Sequence, residues 1–224
     1  MKKLLSLLVL IISISSYVCT AGFSSLAPCM QGFPDGTFRP DSLLKRAEAI
    51  QILYNIKGNE EKVDNSLFSD LHPDYPQDHW AQVAINWAVA YGYIIGDENN
   101  SLRIDENLTR AEFMRIVFQM GISKVYSDTW QGKTNFTDVP DDFWAQHEIR
   151  AISLRANLEG YSDGSFKPDN SITRAECAKI LVGYFNHLSI QFGDKGIEFT
   201  DLDYPHWAYG YIIKIAQPYN YSLK

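Results

Sequence analysis

GYSDGSFKPDNSITRAE, from Gly160 to Glu176, is the stretch whose reading decides the fold. The same seventeen-residue frame occurs as GFPDGTFRPDSLLKRAE from Gly32 and as GDENNSLRIDENLTRAE from Gly96. The copies therefore stand 64 residues apart and align without a gap. A period of that size means that one supersecondary unit has been copied, and that neighbouring units bury one another's apolar faces. Arg46, Arg110 and Arg174 fall at one equivalent position.

Each frame ends in a helix start. In Thr109-Arg110-Ala111-Glu112 and Thr173-Arg174-Ala175-Glu176 the threonine caps the helix and the glutamate three residues on bonds back to it, a capping box. Copy one has Lys45 in place of the threonine, a loss worth about 1 kcal/mol. The arginine lies in the first turn. After it Phe113, Val117 and Met120, or Ala178, Leu181 and Phe185, continue an apolar stripe. Ahead of it Asp35-Gly36 and Asp163-Gly164 predict tight turns, with Asn99-Asn100 in the middle copy, since Gly and Asn both tolerate the left-handed conformation.

A shorter signature alternates with this one: Phe68-Ser69-Asp70 before Trp80-Ala81, Phe136-Thr137-Asp138 before Trp144-Ala145, and Phe199-Thr200-Asp201 before Trp207-Ala208. From each tryptophan, apolar residues recur at one, five and eight positions on, which is the spacing of one helix face. Three tryptophan helices and three arginine helices result, but only the two middle units are contiguous. The chain opens on a half unit and closes on the complementary half. The spacing therefore predicts an all-α fold with boundaries at 22–64, 65–128, 129–192 and 193–224, the last half pairing with the first to close a pseudo-threefold ring.

Lys2 and Lys3, the apolar run from Leu4 to Ile14 and the small residues around Ala21 read as a secretory signal peptide over residues 1–21. The run is short for a membrane span, and no span is expected after cleavage. Losing Lys2 and Lys3 makes the formal charge of −7 two units more negative. Nucleic acid is then an unfavourable partner, because no basic face exists to release its counterions. Cys29 and Cys177 either pair in an oxidising compartment or stay separate.

The tract GYSDGSFKPDNSITRAE, with Phe136-Thr137-Asp138 and Trp144-Ala145 before it, resembles the S-layer homology (SLH) repeat of bacterial surface proteins, and the resemblance covers nearly all of the chain after the leader. It implies three repeats forming a three-pronged helical spindle about a pseudo-threefold axis. It further implies noncovalent attachment to cell-wall polysaccharide or peptidoglycan, often through pyruvylated N-acetylmannosamine, and a location at the cell wall or cell surface of a secreted chain. The alternative is a structural or protein-interaction module of the envelope.

The candidate site follows the arginines. A cation in the first turn opposes the helix dipole, so a repeated arginine there invites a reason. Exposed helix N–H groups together with a guanidinium make a bidentate carboxylate receptor. The resemblance carries contact with an acidic pyruvyl group onto Arg46, Arg110 and Arg174; the competing reading is a structural ion pair. Phe33, Asp35, Tyr161 and Asp163 line a groove or merely order their own turn. Copy two, with Asp97, Asn99-Asn100, Leu102 and Ile104 in place of its neighbours' residues, is expected to carry the altered groove, which lowers the weight on Arg110. The tryptophans fit core anchoring better than stacking on sugars. Scattered histidines and carboxylates that repeat only as caps and turns offer no nucleophile, acid–base pair, cofactor or metal set, so the chain is read as a non-enzyme.

Overall fold

The computed structural model describes residues 28–57, 78–121, 134–187, 191–192 and 196–220. The expected signal peptide and Phe68-Ser69-Asp70 lie outside them. Six helices form among the described residues: α1 (Arg46–Lys57), α2 (Gln82–Ala90), α3 (Arg110–Gly121), α4 (Gln146–Ala156), α5 (Arg174–His187) and α6 (Tyr209–Ile215). Two-residue strands β1 (Gln191–Phe192) and β2 (Tyr219–Asn220) pair antiparallel. The fold is all-α. Arginine helices α1, α3 and α5 each begin at the arginine, and tryptophan helices α2, α4 and α6 begin two residues after the tryptophan.

The threefold axis is made of backbone. Leu44 N donates to Ile172 O, Ile172 N to Leu108 O and Leu108 N to Leu44 O, each at 2.9 Å, so three segments close a ring of hydrogen bonds. The side chains of these three residues are fully buried. The next amides extend the pattern outward. Arg46, Arg110 and Arg174 donate their backbone N–H to Glu106, Asn170 and Ser42 at 2.9, 2.9 and 3.0 Å, and Ala47, Ala111 and Ala175 to Ile104, Pro168 and Pro40. The first N–H groups of a helix have no partner within it. Here each arginine helix finds its partners on the following copy, and the third copy finds them on the first.

The closing half repeats the bonds of a contiguous unit. Asp138 accepts from the amides of Phe166 and Lys167, both at 2.7 Å, and Phe136 lies 5.2 Å from Phe166 ring to ring. Asp201 accepts from Phe38 and Arg39 at the same 2.7 Å, and Phe199 lies 5.2 Å from Phe38. One set joins residues 28 apart in sequence, the other residues 163 apart. Arg39, Arg103 and Lys167 hold left-handed backbone at φ 58°, 48° and 56°. That conformation costs a non-glycine residue roughly 1 kcal/mol, offset at Arg39 and Lys167 by the charge-assisted bond their amides give the aspartate.

The tryptophans do not anchor the core, contrary to the expectation from sequence. Trp80, Trp144 and Trp207 are 64, 49 and 53% exposed, whereas the alanine after each is fully buried. At the entry to a tightly packed helix only a methyl side chain fits against the neighbouring helices. The indole one residue earlier swings outward. The anchoring role falls to Ile85, Ile149 and Ile212 and, on the loops, to Phe38, Leu102 and Phe166.

Candidate functional site

The capping boxes form as the sequence predicts. Glu112 and Glu176 donate their amides to the threonine hydroxyls at 3.2 Å, and their Oε2 atoms accept from the threonine amides at 2.9 and 3.0 Å. In copy one only half the box exists, with Lys45 N on Glu48 Oε2 at 2.8 Å. The other glutamate oxygen has a role that capping alone does not announce. Glu176 Oε1 lies 3.1 Å from Arg110 Nη1, and Glu112 Oε1 3.7 Å from Arg46 Nη1. Each pair joins one copy's arginine to the next copy's glutamate. Burial pushes the Arg174 guanidinium below its ordinary pKa, and the field of Glu48 opposes that.

Arg110 and Arg174 are held on three sides. Arg110 Nε donates to Phe166 O and Arg174 Nε to Phe38 O, both at 2.9 Å; Arg174 Nη2 also reaches Gln31 O at 2.9 Å. Aromatic faces cover them. Arg110 Cζ lies 4.6 Å from the Phe166 ring centre and 5.1 Å from that of Tyr161; Arg174 Cζ lies 4.6 Å from Phe38 and 4.9 Å from Phe33. Such cation–π contacts strengthen as water is excluded. The helix N–H groups expected to join the guanidinium in a receptor are not available, because the arginine and alanine amides are spent on the ring.

Three loops take one geometry. Phe33, Asp97 and Tyr161 donate backbone N–H to Thr37, Ser101 and Ser165 at 2.7 to 2.9 Å, and Gly36, Asn100 and Gly164 occupy left-handed backbone at φ 81°, 60° and 79°. Asp35 and Asp163 point back into their own turns, accepting from Thr37 and Ser165. The Thr37 hydroxyl first, then Arg39, holds the Asp35 carboxyl down at about 2. In the middle copy Asp97 supplies the turn acceptor, to Asn99 and Ser101. The aromatic position is thereby lost. Tyr161 hydrogen-bonds Glu176, and burial followed by that bond raises its phenol to about 12.

Grooves run between copies. One, of about 220 Å³, is lined by Arg110 from the second copy, Tyr161, Glu176 and Lys179 from the third, and Trp207 from the closing half. Another, of about 260 Å³, is lined by Arg46 from the first copy, Asp97, Arg103, Glu112 and Arg115 from the second, and Trp144. Phe33 stands over Arg174. The loop of each copy thus faces the arginine of the preceding copy. This corrects the sequence expectation: the altered loop faces Arg46, not Arg110, and Arg110 faces the intact loop of copy three. On the lips Lys179 Nζ lies 5.9 Å from the Trp207 ring and Arg115 Cζ 5.7 Å from Trp144. A basic residue at the same place in two copies was the sequence signal for this pairing; the first copy has Gln51 there.

Cys29 and Cys177 are both buried free thiols. Among the described residues no group of three or more potential ligands gathers to hold a metal ion, and no helix is long and apolar enough to cross a membrane.

Repeated helical pairs on a pseudo-threefold ring, with a guanidinium, a carboxylate and an indole from different copies along each described groove, define a repeat-built binding module. The chain belongs to the family of the S-layer homology domain, whose model matches residues 25–50, 73–114 and 135–178. It is similar to Cell surface glycoprotein 1 of Acetivibrio thermocellus, 31% identical over 202 residues, covering 87% of this chain and 9% of that protein. It is also similar to the Cellulosome-anchoring protein of the same organism, 28% identical over 209 residues, covering 91% of this chain and 45% of that protein. An S-layer protein of Bacillus licheniformis is 29% identical over 136 residues, or 61% of this chain and 15% of its own length. The chain spans less than half the length of each of these relatives.

Proposed function

We propose that this chain is a non-catalytic attachment module of the bacterial cell envelope that holds an acidic cell-wall glycan in its inter-repeat grooves. The observation that carries the reading is the composition of the Arg110 groove. An almost buried guanidinium sits at its floor, a lysine and a half-exposed indole form its lip, and the two ends suit the two faces of an acidic sugar. A carboxylate is recognised by the guanidinium as a charge-assisted pair, and the apolar face of a sugar ring stacks on an indole. Arg174 is held in the same way, with Phe33 in place of Tyr161 over its guanidinium. The names of its relatives, a cellulosome-anchoring protein and S-layer proteins, support a surface location for this chain too.

In this role Arg46, Arg110 and Arg174 hold the acidic group, Phe33 and Tyr161 set the depth of the groove, and Asp35 and Asp163 fix the loops that carry them. A pyruvylated sugar supplies the single carboxylate that the Arg110 groove fits. Co-sedimentation with purified sacculi, before and after chemical removal of the secondary polysaccharide, tests the reading. Retention of the parent chain is expected only on untreated sacculi, with loss in an Arg110→Ala/Arg174→Ala variant. Full retention of that variant would overturn it.

A further inference from the structure

The groove of Arg46 has been rebuilt, and its arginine is the one left under-satisfied. Arg110 and Arg174 each give Nε to a loop carbonyl, whereas Arg46 Nε is buried with no hydrogen-bond partner. Its Nη1 stands 3.7 Å from Glu112, beyond hydrogen-bond reach, against 3.1 Å for the Arg110–Glu176 pair. A buried donor without a partner destabilises the fold, and a charged one does so more strongly than a neutral one. The Arg46 side chain is only 11% exposed.

The place of the missing tyrosine is taken by a second guanidinium. In the Arg110 groove the Tyr161 hydroxyl binds Glu176. In the Arg46 groove position 97 is an aspartate, and Arg103 Nη2 donates to Glu112 Oε1 at 2.8 Å instead. A third guanidinium, Arg115, lines the same groove beneath Trp144. The opposing carboxylates are already committed. Asp97 Oδ1 holds the turn amides of Asn99 and Ser101 while its Oδ2 lies 3.5 Å from Arg103, Glu112 Oε2 caps α3, and Glu106 meets Arg103 at 3.5 Å. Three guanidinium groups line this one cleft, Arg103 spread over Asp97, Glu106 and Glu112 and Arg46 with an unmatched Nε, where the Arg110 groove offers one guanidinium and one ammonium.

We propose that the Arg46 groove is a phosphate-selective subsite, taking a phosphorylated sugar of the wall polymer where the Arg110 groove takes a single carboxylate. A phosphate presents three or more acceptor oxygens in a tetrahedron and so engages several forks at once. A carboxylate presents two in a plane and is saturated by one. Trp144 and the neighbouring Tyr93 and Ile95 give the sugar ring an apolar wall. The inference rests on the attachment reading for its ligand class and goes beyond it in assigning different chemistry to different grooves.

The test is an arginine Nε–Hε NMR titration of the whole chain with glucose 6-phosphate, inorganic phosphate and lactate in parallel. Both phosphates should shift the Arg46 and Arg103 signals saturably, with an affinity at least about tenfold above that of lactate, while Arg110 responds to lactate as readily as to phosphate. Arg103→Gln should weaken phosphate binding about tenfold; Arg115→Gln, at the half-buried groove edge beside Trp144, should weaken it severalfold with the Tm of the chain unchanged. Equal response to lactate at Arg46, unsaturable shifts, or unchanged phosphate affinity in the Arg115→Gln variant would overturn the proposal. Sacculus retention without phosphate binding removes this inference and leaves the attachment reading. Phosphate binding at Arg46 without sacculus retention removes the attachment reading and keeps an oxyanion site.

Discussion

Arg110 and Glu176 come from different copies of the repeat, yet Nη1 of one lies 3.1 Å from Oε1 of the other. The second oxygen of the same carboxylate holds the Thr173 amide that starts α5. One side chain therefore caps its own helix and fixes the charge of its neighbour's groove. Glu112 repeats the arrangement with Arg46, more loosely.

Removing Glu176 should then cost more than a cap. Breaking an almost buried pair leaves an uncompensated guanidinium, so Glu176→Ala is expected to lose about 3 kcal/mol. Glu176→Gln keeps a capping oxygen and should lose about 1–2 kcal/mol. Urea denaturation of the two variants measures the difference; a Glu176→Gln variant as stable as the parent would show that the charge on Glu176 contributes nothing.

Lys45 is the residue to improve. Its amide already reaches Glu48, and only the side-chain half of the box is missing. Lys45→Thr should stabilise the chain by about 1 kcal/mol, a rise of a few degrees in Tm by calorimetry.

Asp138 and Asp201 make matching bonds across very different chain separations. Asp138→Ala and Asp201→Ala should each cost about 2 kcal/mol, the value of losing hydrogen bonds to a charged acceptor. Deleting residues 199–224 should broaden and lower the thermal transition. A sharp, unchanged transition in the deletion would mean that the closing half is not part of the cooperative unit.

Trp207 and Phe166 separate binding from folding. Trp207 is half exposed, so Trp207→Ala should change stability by under about 1 kcal/mol while reducing sacculus retention severalfold. Phe166 is fully buried, and Phe166→Ala should cost about 3–5 kcal/mol. Chemical denaturation and co-sedimentation on the same samples check both.

Alkaline pH should weaken the fold through its thiols. Burial raises Cys29 from 9.0 to about 12 and raises Cys177 further still. Above pH 9 the unfolded chain gives up protons that the folded chain keeps, so stability falls as pH rises from about 9 toward 12. Denaturation midpoints at pH 7.5 and pH 10 should differ in that direction, and Cys29→Ala should reduce the difference.

Much of the fold was legible in the sequence because it rests on local rules. The Thr-x-x-Glu boxes, the Asp-Gly turns and the apolar stripes after each arginine all depend on residues within a few positions of one another, and all of them form. The side taken by the tryptophans is not legible in the sequence, because a large apolar residue at a helix entry fits either side of the surface. Only the packing of Ala81, Ala145 and Ala208 against neighbouring helices shows that the indoles must turn out. Asn100 substitutes for glycine as its sequence position predicts, since tolerance of left-handed backbone is a property of the residue itself.

The sequence by itself determined that one unit occurs three times, where its helices begin, and which copies lack a cap or an aromatic. Which copies meet was decided only by the tertiary structure. A strict 64-residue period makes a loop and an arginine of the same copy indistinguishable from a loop and an arginine of adjacent copies, so periodicity cannot choose between them. The backbone ring of Leu44, Leu108 and Ile172 chooses, because it directs the first amides of each arginine helix onto the following copy. The divergent loop of copy two thereby became the wall of the Arg46 groove.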